Sequence, residues 1–216
     1  MNTILQGKVV CVALNDQQQI DTMKGLFEQA PYQALPTEPV LYFKPHNTWN
    51  QSNSPISCPE GSGATLVVGA SLALIIDQTC CRVSEKEALN YIKNIALLHD
   101  FSLPEQSYYR PDIKGKCIDQ SATLSESVPL PELGALDQLV ISTSVNGLEK
   151  SNFKLSQTVR SAPQLIEKIS HIMTLEKGDI IAFAFAGKRI AVAPNDQVKS
   201  VVGSTLQLEN LVAGDK

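Results

Sequence analysis

The run Leu66-Val67-Val68-Gly69-Ala70-Ser71-Leu72-Ala73-Leu74-Ile75-Ile76 opens the segment 66–117, around which the rest of the chain is organised. Its apolar and β-branched residues predict a buried strand pair, or one strand bent near Gly69, ending at a turn over Asp77-Gln78. Ser84 and Glu87 then have the Ser-x-x-Glu spacing of a capping box, which predicts a helix that ends near His99-Asp100. The residues expected on its buried face are Leu89, Ile92, Ile95 and Ala96.

A polar loop is expected after this helix. The run Tyr108-Tyr109-Arg110-Pro111-Asp112-Ile113-Lys114-Gly115-Lys116 combines two tyrosines, one arginine and two lysines. Arginine and lysine bind anions through charge-assisted hydrogen bonds, and a tyrosine hydroxyl adds another donor. So many different donors within one short loop predict a surface that faces an anion.

The flanking sequence predicts an α+β fold with a predominantly antiparallel or mixed sheet, because many short apolar runs alternate with few helical patterns. Asn146-Gly147 is the strongest hairpin signal in the chain. The region 51–63 is predicted to be a loop, either a lid or surface decoration. Helices are predicted over 17–30, with Ile20, Met23, Leu26 and Phe27 on one face, and from Ser161 to Gly178. Strands are predicted over 8–14, 40–43, 138–145, 153–155, 180–185, 189–193 and 199–208.

Length and composition limit the classes of function. At 216 residues, with 43% hydrophobic and 19% charged residues, the chain has the size and composition of one globular domain. A net charge of -4 provides no basic surface for nucleic acid. No run approaches the roughly 18 apolar residues of a membrane span. Since residues 1–8 also lack the basic start and apolar core of a signal peptide, we expect a cytoplasmic protein.

The cysteines and histidines offer no evident metal site. Cys11, Cys58, Cys80, Cys81 and Cys117 are odd in number and lack a repeated spacing, so reduced, buried thiols are expected. Only three histidines are present, His46, His99 and His171, which disfavours a histidine-built metal centre.

Six short motifs, taken in order, resemble the fumarylacetoacetate hydrolase family over nearly the whole chain. They are Ala13-Leu14-Asn15, Phe43-Lys44-Pro45-x-Asn47-Thr48, Val83-Ser84-x-x-x-Ala88-x-x-Tyr91-Ile92, Asp100-x-Ser102-x-Pro104-Glu105, Tyr108-Tyr109-Arg110-Pro111 with Lys114-x-Lys116-Cys117, and Met173-Thr174-Leu175-x-x-Gly178-Asp179. The resemblance implies a mixed β-roll in one domain over 1–216, with residues 1–60 packed on 61–216. It also implies a divalent metal, Mg²⁺ or Mn²⁺, that chelates an oxo-acid and stabilises the developing enolate. Isomerisation or decarboxylation of unsaturated oxo-dicarboxylates in 4-hydroxyphenylacetate degradation is the activity it implies.

The same resemblance exposes three departures from the family pattern. Gly69 and Ser71 stand at the two positions of the metal-binding Glu-x-Glu motif, which leaves Asp100 as the one implied metal ligand. Gln19 and Thr22 stand at the positions of a His-x-x-Glu acid/base pair. The substrate-holding Gly-Thr-Pro turn is matched by Ala184, Phe185 and Ala186. One carboxylate alone does not make a site for a hard cation, which needs several oxygen ligands.

The residues retained at the implied site are few. Lys116 and Asp100 are the candidate catalytic residues, and Arg110, Lys44 and Tyr109 are the candidates for binding the carboxylates of the substrate. Structural roles are the alternative. Arg110 and Lys116 could pair with Asp112, Asp119 or Glu105, and Asp100 could cap the loop after its helix. Tyr109 could be a core residue, and His99 could be stabilised by the helix dipole.

Two functions follow from these patterns. The chain is either an enzyme subunit that acts on a small dicarboxylate, or a catalytically silent, metal-lacking partner of a homologous subunit that carries the metal. A homodimer and a hetero-oligomer with that homologous subunit both remain open, and the metal could be absent from this chain.

Overall fold

The computed structural model describes residues 7–50, 54–57, 65–105 and 107–213. The expectations placed on residues 1–6, on most of the loop 51–63 and on Cys58 therefore lie outside the described residues. The helices are α1 Gln17–Phe27, α2 Ile113–Lys116 and α3 Ala162–Ile172. The strands are β1 Val9–Ala13, β2 Val40–Lys44, β3 Trp49–Asn50, β4 Leu66–Ile76, β5 Ile92–Ser102, β6 Ala122–Leu124, β7 Val128–Pro129, β8 Val140–Val145, β9 Leu148–Lys154, β10 Ile180–Ala182, β11 Ile190–Val192, β12 Gln197–Val202 and β13 Leu206–Leu211.

The larger sheet has the strand order β2-β1-β10-β4-β5-β6-β3, with β11 also paired to β4 and β7 to β5. The pairs β1–β10 and β3–β6 are parallel, whereas β4 and β5 pair antiparallel at the centre of the sheet. The run expected as a strand pair or a bent strand is one strand, β4, and it is buried along almost its whole length. In this register Gly69 lies opposite Asp100.

A second sheet has the order β13-β12-β8-β9. The predicted hairpin is confirmed, since Asn146 and Gly147 connect β8 to β9 with positive φ angles of 51° and 77°. The single strand expected over 199–208 is wrong. The chain turns between β12 and β13, where Gly203 has a φ of 54°, a conformation that glycine adopts at low cost. The main hydrophobic cluster joins the two sheets through Leu72, Leu97, Ile141 and Val202.

The predicted helix ending near His99-Asp100 is wrong. Ser84 does bind Glu87 through its hydroxyl (2.7 Å), but only a short 3-10 turn, Ala88–Tyr91, follows. The chain then enters β5, a central strand of the larger sheet that is buried at nearly every position. One face of β5 is covered by β12 and β13 of the second sheet, and the other by the side chains of Lys44 and Lys116. A strand covered on both faces loses its two-residue alternation and cannot be distinguished from a buried helix by periodicity. His99 and Asp100 are consequently strand residues, which rules out a helix-dipole or helix-capping role for them.

Helix α3 begins as predicted, with Ser161 and Gln164 forming a complete capping box. It ends at Ile172 rather than near Gly178. Beyond this end, the backbone of Leu175 exchanges two hydrogen bonds with Cys80 and so cannot continue the helix.

Helix α1 ends at Phe27, and Phe27 is the one member of its predicted apolar face that is buried. Met23 and Leu26 instead border the cleft described below. Cys11 and Cys80 are buried free thiols as expected, but Cys81 is exposed and Cys117 is half-buried. Among the described residues, no helix has the length and hydropathy needed to cross a membrane.

Candidate functional site

A cleft of about 1220 Å³ lies between α1, β9, the segment 186–191 and three residues that follow β5, namely Glu105, Ser107 and Tyr108. Its polar lining includes Gln19 from α1, Glu105 and Tyr108 from the loop after β5, and Arg189 immediately before β11. Three elements far apart in sequence therefore supply its donors and acceptors.

Asp100 lies beside this cleft and is fully buried in the centre of the larger sheet. Its carboxylate is surrounded by three cations. Oδ1 is 2.9 Å from Lys44 Nζ, whereas Oδ2 is 3.1 Å from Arg189 Nη1 and 3.8 Å from Lys116 Nζ. The Tyr42 hydroxyl also donates to Oδ2 at 2.7 Å.

Burial alone would raise the pKa of Asp100, because a charged carboxylate loses its hydration. Lys44, Arg189 and Lys116 outweigh this effect and hold the pKa below its ordinary value. Burial, and then the charge of Asp100, raise the pKa of Tyr42 well above its ordinary value. Asp100 is thus an anion and Tyr42 a neutral hydroxyl donor at neutral pH.

Lys44 is a structural cation rather than an exposed ligand-binding group. Its ammonium donates to Phe101 O (3.2 Å), Lys116 O (2.6 Å) and Ser121 Oγ (2.9 Å). These bonds use the three donors of an ammonium. Lys44 accordingly forms an ion pair with Asp100 Oδ1 and not a hydrogen bond, and Oδ1 accepts no hydrogen bond from any residue that the structure describes.

Lys116, on α2, is 3% exposed and lies between two carboxylates. Its Nζ is 3.2 Å from Glu105 Oε2 as well as 3.8 Å from Asp100 Oδ2, and it stands 4.9 Å from the centroid of the Tyr42 ring. The ammonium makes no hydrogen bond to any described residue. The Lys116–Glu105 ion pair considered from sequence is therefore present, and it connects Lys116 to the cleft through Glu105.

Arg189 is the cation of this cluster that lines the cleft. Ile190 pairs with Val68, so Arg189 emerges next to Gly69 at the end of β11. Its guanidinium donates to the Tyr42 hydroxyl (3.0 Å) and to the backbone oxygen of Asp100 (3.4 Å), and it lies 4.4 Å from the centroid of the Phe185 ring. Burial alone would lower the pKa of Arg189, but Tyr42 and Asp100 outweigh it and keep this pKa above the ordinary arginine value.

The positions implied as metal ligands do not form a cation site. A Cβ added to Gly69 would lie 2.0 Å from Arg189 Nη1, so the guanidinium fills the space of a side chain at that position. The Ser71 hydroxyl donates to Leu72 O and accepts from Ala184 N, both at 2.8 Å. No group of three or more His, Cys, Asp or Glu side chains is arranged for a metal anywhere in the described ranges. One carboxylate already bound by three cations does not fit Mg²⁺ or Mn²⁺, which require several oxygen ligands.

The departure at the implied acid/base pair, Gln19 and Thr22, lies at the cleft. Gln19 donates to the Tyr108 hydroxyl at 2.8 Å, and its side chain packs so closely on Gly187 that a Cβ there would be 2.3 Å away. Thr22 donates to the backbone oxygen of Gln18. Neither Gln19 nor Thr22 titrates, and so neither can serve as an acid or base.

Two residues predicted to bind substrate point elsewhere. Arg110 is exposed and belongs to neither the charge cluster nor the cleft lining. Tyr109 is 52% exposed, and its ring contacts the edge of Tyr32 with a centroid distance of 5.9 Å. Its neighbour Tyr108 is the tyrosine that lines the cleft. The structure thus brings together Lys44, Asp100 and Lys116 from the predicted set, and leaves Arg110 and Tyr109 outside.

Arg189 and Tyr42 were predicted only as strand residues and not as members of the site. A signal for Arg189 existed in the glycine at position 69, since a missing side chain in the middle of a buried strand indicates that another group comes close to the backbone. The partner of that glycine, 120 positions away in the chain, had no local signature.

Comparison with known proteins agrees with this architecture. Residues 8–213 match the family described as fumarylacetoacetate hydrolase C-terminal. The chain is 37% identical over 211 residues to the 4-hydroxyphenylacetate degradation bifunctional isomerase/decarboxylase of Salmonella dublin, which covers 98% of this chain and 48% of that protein, in its N-terminal half. The chain therefore spans about half the length of this curated relative.

Two solved structures share the fold. A putative fumarylacetoacetate hydrolase family protein from Yersinia pestis superposes with a TM-score of 0.83 at 23% identity, covering 97% of this chain and 94% of its own. Fumarylpyruvate hydrolase from Pseudomonas aeruginosa, solved with Mn²⁺ and pyruvate, gives 0.78 at 19% identity, with 96% and 90% coverage. The expected α+β fold with a mixed, curled sheet and few helices is confirmed. This chain belongs to the fumarylacetoacetate hydrolase family.

Proposed function

We propose that this chain is a unit of an isomerase/decarboxylase of the 4-hydroxyphenylacetate degradation type. Its substrate would be an unsaturated oxo-dicarboxylate such as 2-hydroxyhepta-2,4-diene-1,7-dioate or 5-carboxymethyl-2-oxo-hex-3-ene-1,6-dioate. The observation that carries the proposal is the 37% identity over 98% of the chain to one half of the Salmonella dublin isomerase/decarboxylase.

Isomerisation fits the groups that line the cleft. Conversion of the dienol to the 3-enone removes the proton of the C2 hydroxyl and adds a proton at C5, while the two double bonds become one C=O and one C=C. Glu105 is suited to carry such a proton, because it lines the cleft and burial raises its pKa above the ordinary carboxyl value. Its ion pair with Lys116 holds the carboxylate in place, and Tyr108 adds a hydroxyl on the same side of the cleft.

The roles of the remaining cluster residues follow from their contacts. Arg189 would face the substrate, whereas Asp100 and Tyr42 would position its guanidinium. Lys116 keeps its proposed part in catalysis through Glu105. Lys44 would neutralise Asp100 within the sheet, away from the substrate.

A catalytically silent partner is the second candidate. The observation that favours it is the loss of the implied metal ligands at Gly69 and Ser71 together with the implied acid/base pair at Gln19 and Thr22. In that case the chain would assemble with a homologous, metal-bearing subunit and contribute an interface.

Turnover of 2-hydroxyhepta-2,4-diene-1,7-dioate separates the two candidates. The conjugated dienol absorbs in the ultraviolet, so its loss can be followed with the purified chain alone. The proposed function predicts turnover that falls by about 10²-fold or more in Glu105→Gln, as for the loss of a general acid/base. The matched Glu149→Gln variant, on the exposed face of β9, should retain the rate. If the purified chain shows no turnover but forms a stable complex with a metal-bearing homologue, the silent-partner function replaces this proposal.

A further inference from the structure

The Arg189 guanidinium occupies a place that the family pattern assigns to a metal-binding side chain. Two of the three implied ligand positions are Gly69 and Asp100, which face each other across β4 and β5. Arg189 Nη1 lies 3.1 Å from Asp100 Oδ2, and a Cβ on Gly69 would meet the same nitrogen at 2.0 Å. The glycine thus makes room for the arginine, and the arginine neutralises the remaining carboxylate.

The charge of the cluster favours an anion over a cation. Lys44, Lys116 and Arg189 stand against the two carboxylates of Asp100 and Glu105, which leaves one positive charge in excess. In a buried, weakly screened site such an excess repels a divalent cation and attracts a carboxylate.

A second observation shows that binding capacity remains at this place. Lys116 is 3% exposed and ion-paired with Glu105 and Asp100, yet its Nζ makes no hydrogen bond to any described residue. Arg189 lines the cleft, and its side chain is 14% exposed, so its guanidinium is reachable from the cleft. Buried donors that lack acceptors are costly unless a ligand satisfies them.

We propose that Arg189 replaces the divalent metal and binds the carboxylate of a 2-oxo acid directly, so that the ligand is held without Mg²⁺ or Mn²⁺. The ligand class rests on the function proposed above. A planar guanidinium matches a carboxylate through two parallel hydrogen bonds, a geometry that lysine cannot reproduce. Asp100, Tyr42 and Phe185 fix the plane of the guanidinium from behind.

Calorimetric titration with 2-oxoadipate, a stable 2-oxo dicarboxylate, tests this assignment. We expect the purified protein to bind it equally well in excess EDTA and in millimolar Mg²⁺ or Mn²⁺. Binding that appears only with added metal would overturn the proposal, and so would the absence of binding under every condition.

The Arg189→Lys variant keeps the positive charge beside Asp100 but removes the planar guanidinium that can make two parallel hydrogen bonds to a carboxylate. Its affinity should fall by tenfold or more, with no recovery on addition of Mn²⁺. The matched control is Arg160→Lys, since Arg160 is also half-buried and donates to the backbone oxygens of Pro36 and Thr37, away from the cleft. An unchanged affinity in Arg189→Lys would overturn the assignment. If that variant fails to fold, the metal dependence of the unmodified protein decides alone.

These outcomes are distinct from those of the turnover assay. Metal-free binding of 2-oxoadipate without turnover of the dienol would retain the arginine site and reject the enzyme. Turnover that requires Mn²⁺ would retain the enzyme and reject the arginine site.

Discussion

His99 and Asp100 are neighbours on β5, point to opposite faces of the sheet, and are both fully buried. On the His99 face, the ring lies 2.7 Å from Asn210 Oδ1 and 2.8 Å from Ser200 Oγ. Asn210 Oδ1 can only accept, so His99 Nδ1 carries the proton and Nε2 accepts from the serine hydroxyl. The network is neutral, and it ties β5 to β12 and β13 of the second sheet.

The Asp100 face is built from charges and is incomplete. Asp100 Oδ1 and Lys116 Nζ have no hydrogen-bond partner in the described ranges. A closed neutral network needs nothing further and serves the fold, whereas an open charged one retains polar atoms with unused hydrogen-bonding capacity. The contrast indicates that adjacent buried polar residues can have separate tasks, one structural and one concerned with binding.

Removal of the Asp100 carboxylate should give the largest effect. Asp100→Ala leaves Lys44, Lys116 and Arg189 buried without their common partner, and breaking a buried ion pair in this way costs about 3–5 kcal/mol. Urea unfolding measures the free energy of unfolding. The control Asp21→Ala, at an exposed carboxylate on α1, should change it by less than about 0.5 kcal/mol. A loss below about 1 kcal/mol for Asp100→Ala would show that the charges are hydrated rather than mutually dependent.

The pH dependence of stability should separate the two faces. Burial lowers the pKa of His99 from 6.5 to about 4. The unfolded chain therefore binds a proton between these values that the folded chain does not. Stability should fall as the pH drops from about 6.5 to 4, by about 3 kcal/mol in total. The pKa of Asp100 is depressed, so its contribution to the stability of the fold is lost only when the pH falls below the ordinary pKa range of carboxyl groups.

Urea midpoints at pH 7, 6 and 5 test this window, where most carboxylates stay ionised. In His99→Gln the decline between pH 6.5 and 5 should be largely abolished. Glu105 acts in the opposite direction, since its raised pKa makes the folded state bind protons first. A decline of the same size in His99→Gln would assign it to other groups.

Tyr42→Phe should give an intermediate effect. The hydroxyl donates to Asp100 Oδ2 at 2.7 Å and accepts from Arg189 Nη2 at 3.0 Å, and hydrogen bonds to charged groups contribute about 1.5–3 kcal/mol. Tyr109→Phe is the matched control, because that ring is half exposed, and it should be neutral within about 0.5 kcal/mol. Thermal unfolding of the two variants side by side gives the difference. Equal stabilities would mean that water replaces the Tyr42 hydroxyl.

The smallest effect is expected for Arg110→Ala. Arg110 is exposed and lies outside both the charge cluster and the cleft, so its removal should change stability by less than about 0.5 kcal/mol. The affinity for 2-oxoadipate should change by less than about threefold by the same reasoning, since a screened surface charge contributes little. A tenfold loss of affinity would restore Arg110 to the binding site.

Elements with a local chemical signature were predictable. Asn146-Gly147 and the capping box at Ser161 act within four residues, so the hairpin and the start of α3 follow from the chain alone. The Ser-x-x-Glu spacing at Ser84 was equally local, but the helix it predicted does not form. The following residues instead pair as β5 between β4 and β6, and this pairing outweighed their helix propensity. Asp100, Lys44 and Lys116 could be identified from their motifs, but not the geometry that joins them.

The sequence by itself determined the family, the α+β class and the absence of the Glu-x-Glu pair, since each of these is a matter of residue type and order. Only the tertiary structure decided what takes the place of those glutamates. Gly69, Asp100 and Arg189 come from three different strands or their ends, and pairing in one sheet brings them within contact. The sequence shows which residues of a motif are missing, but the side chain that takes their place is determined by long-range strand register.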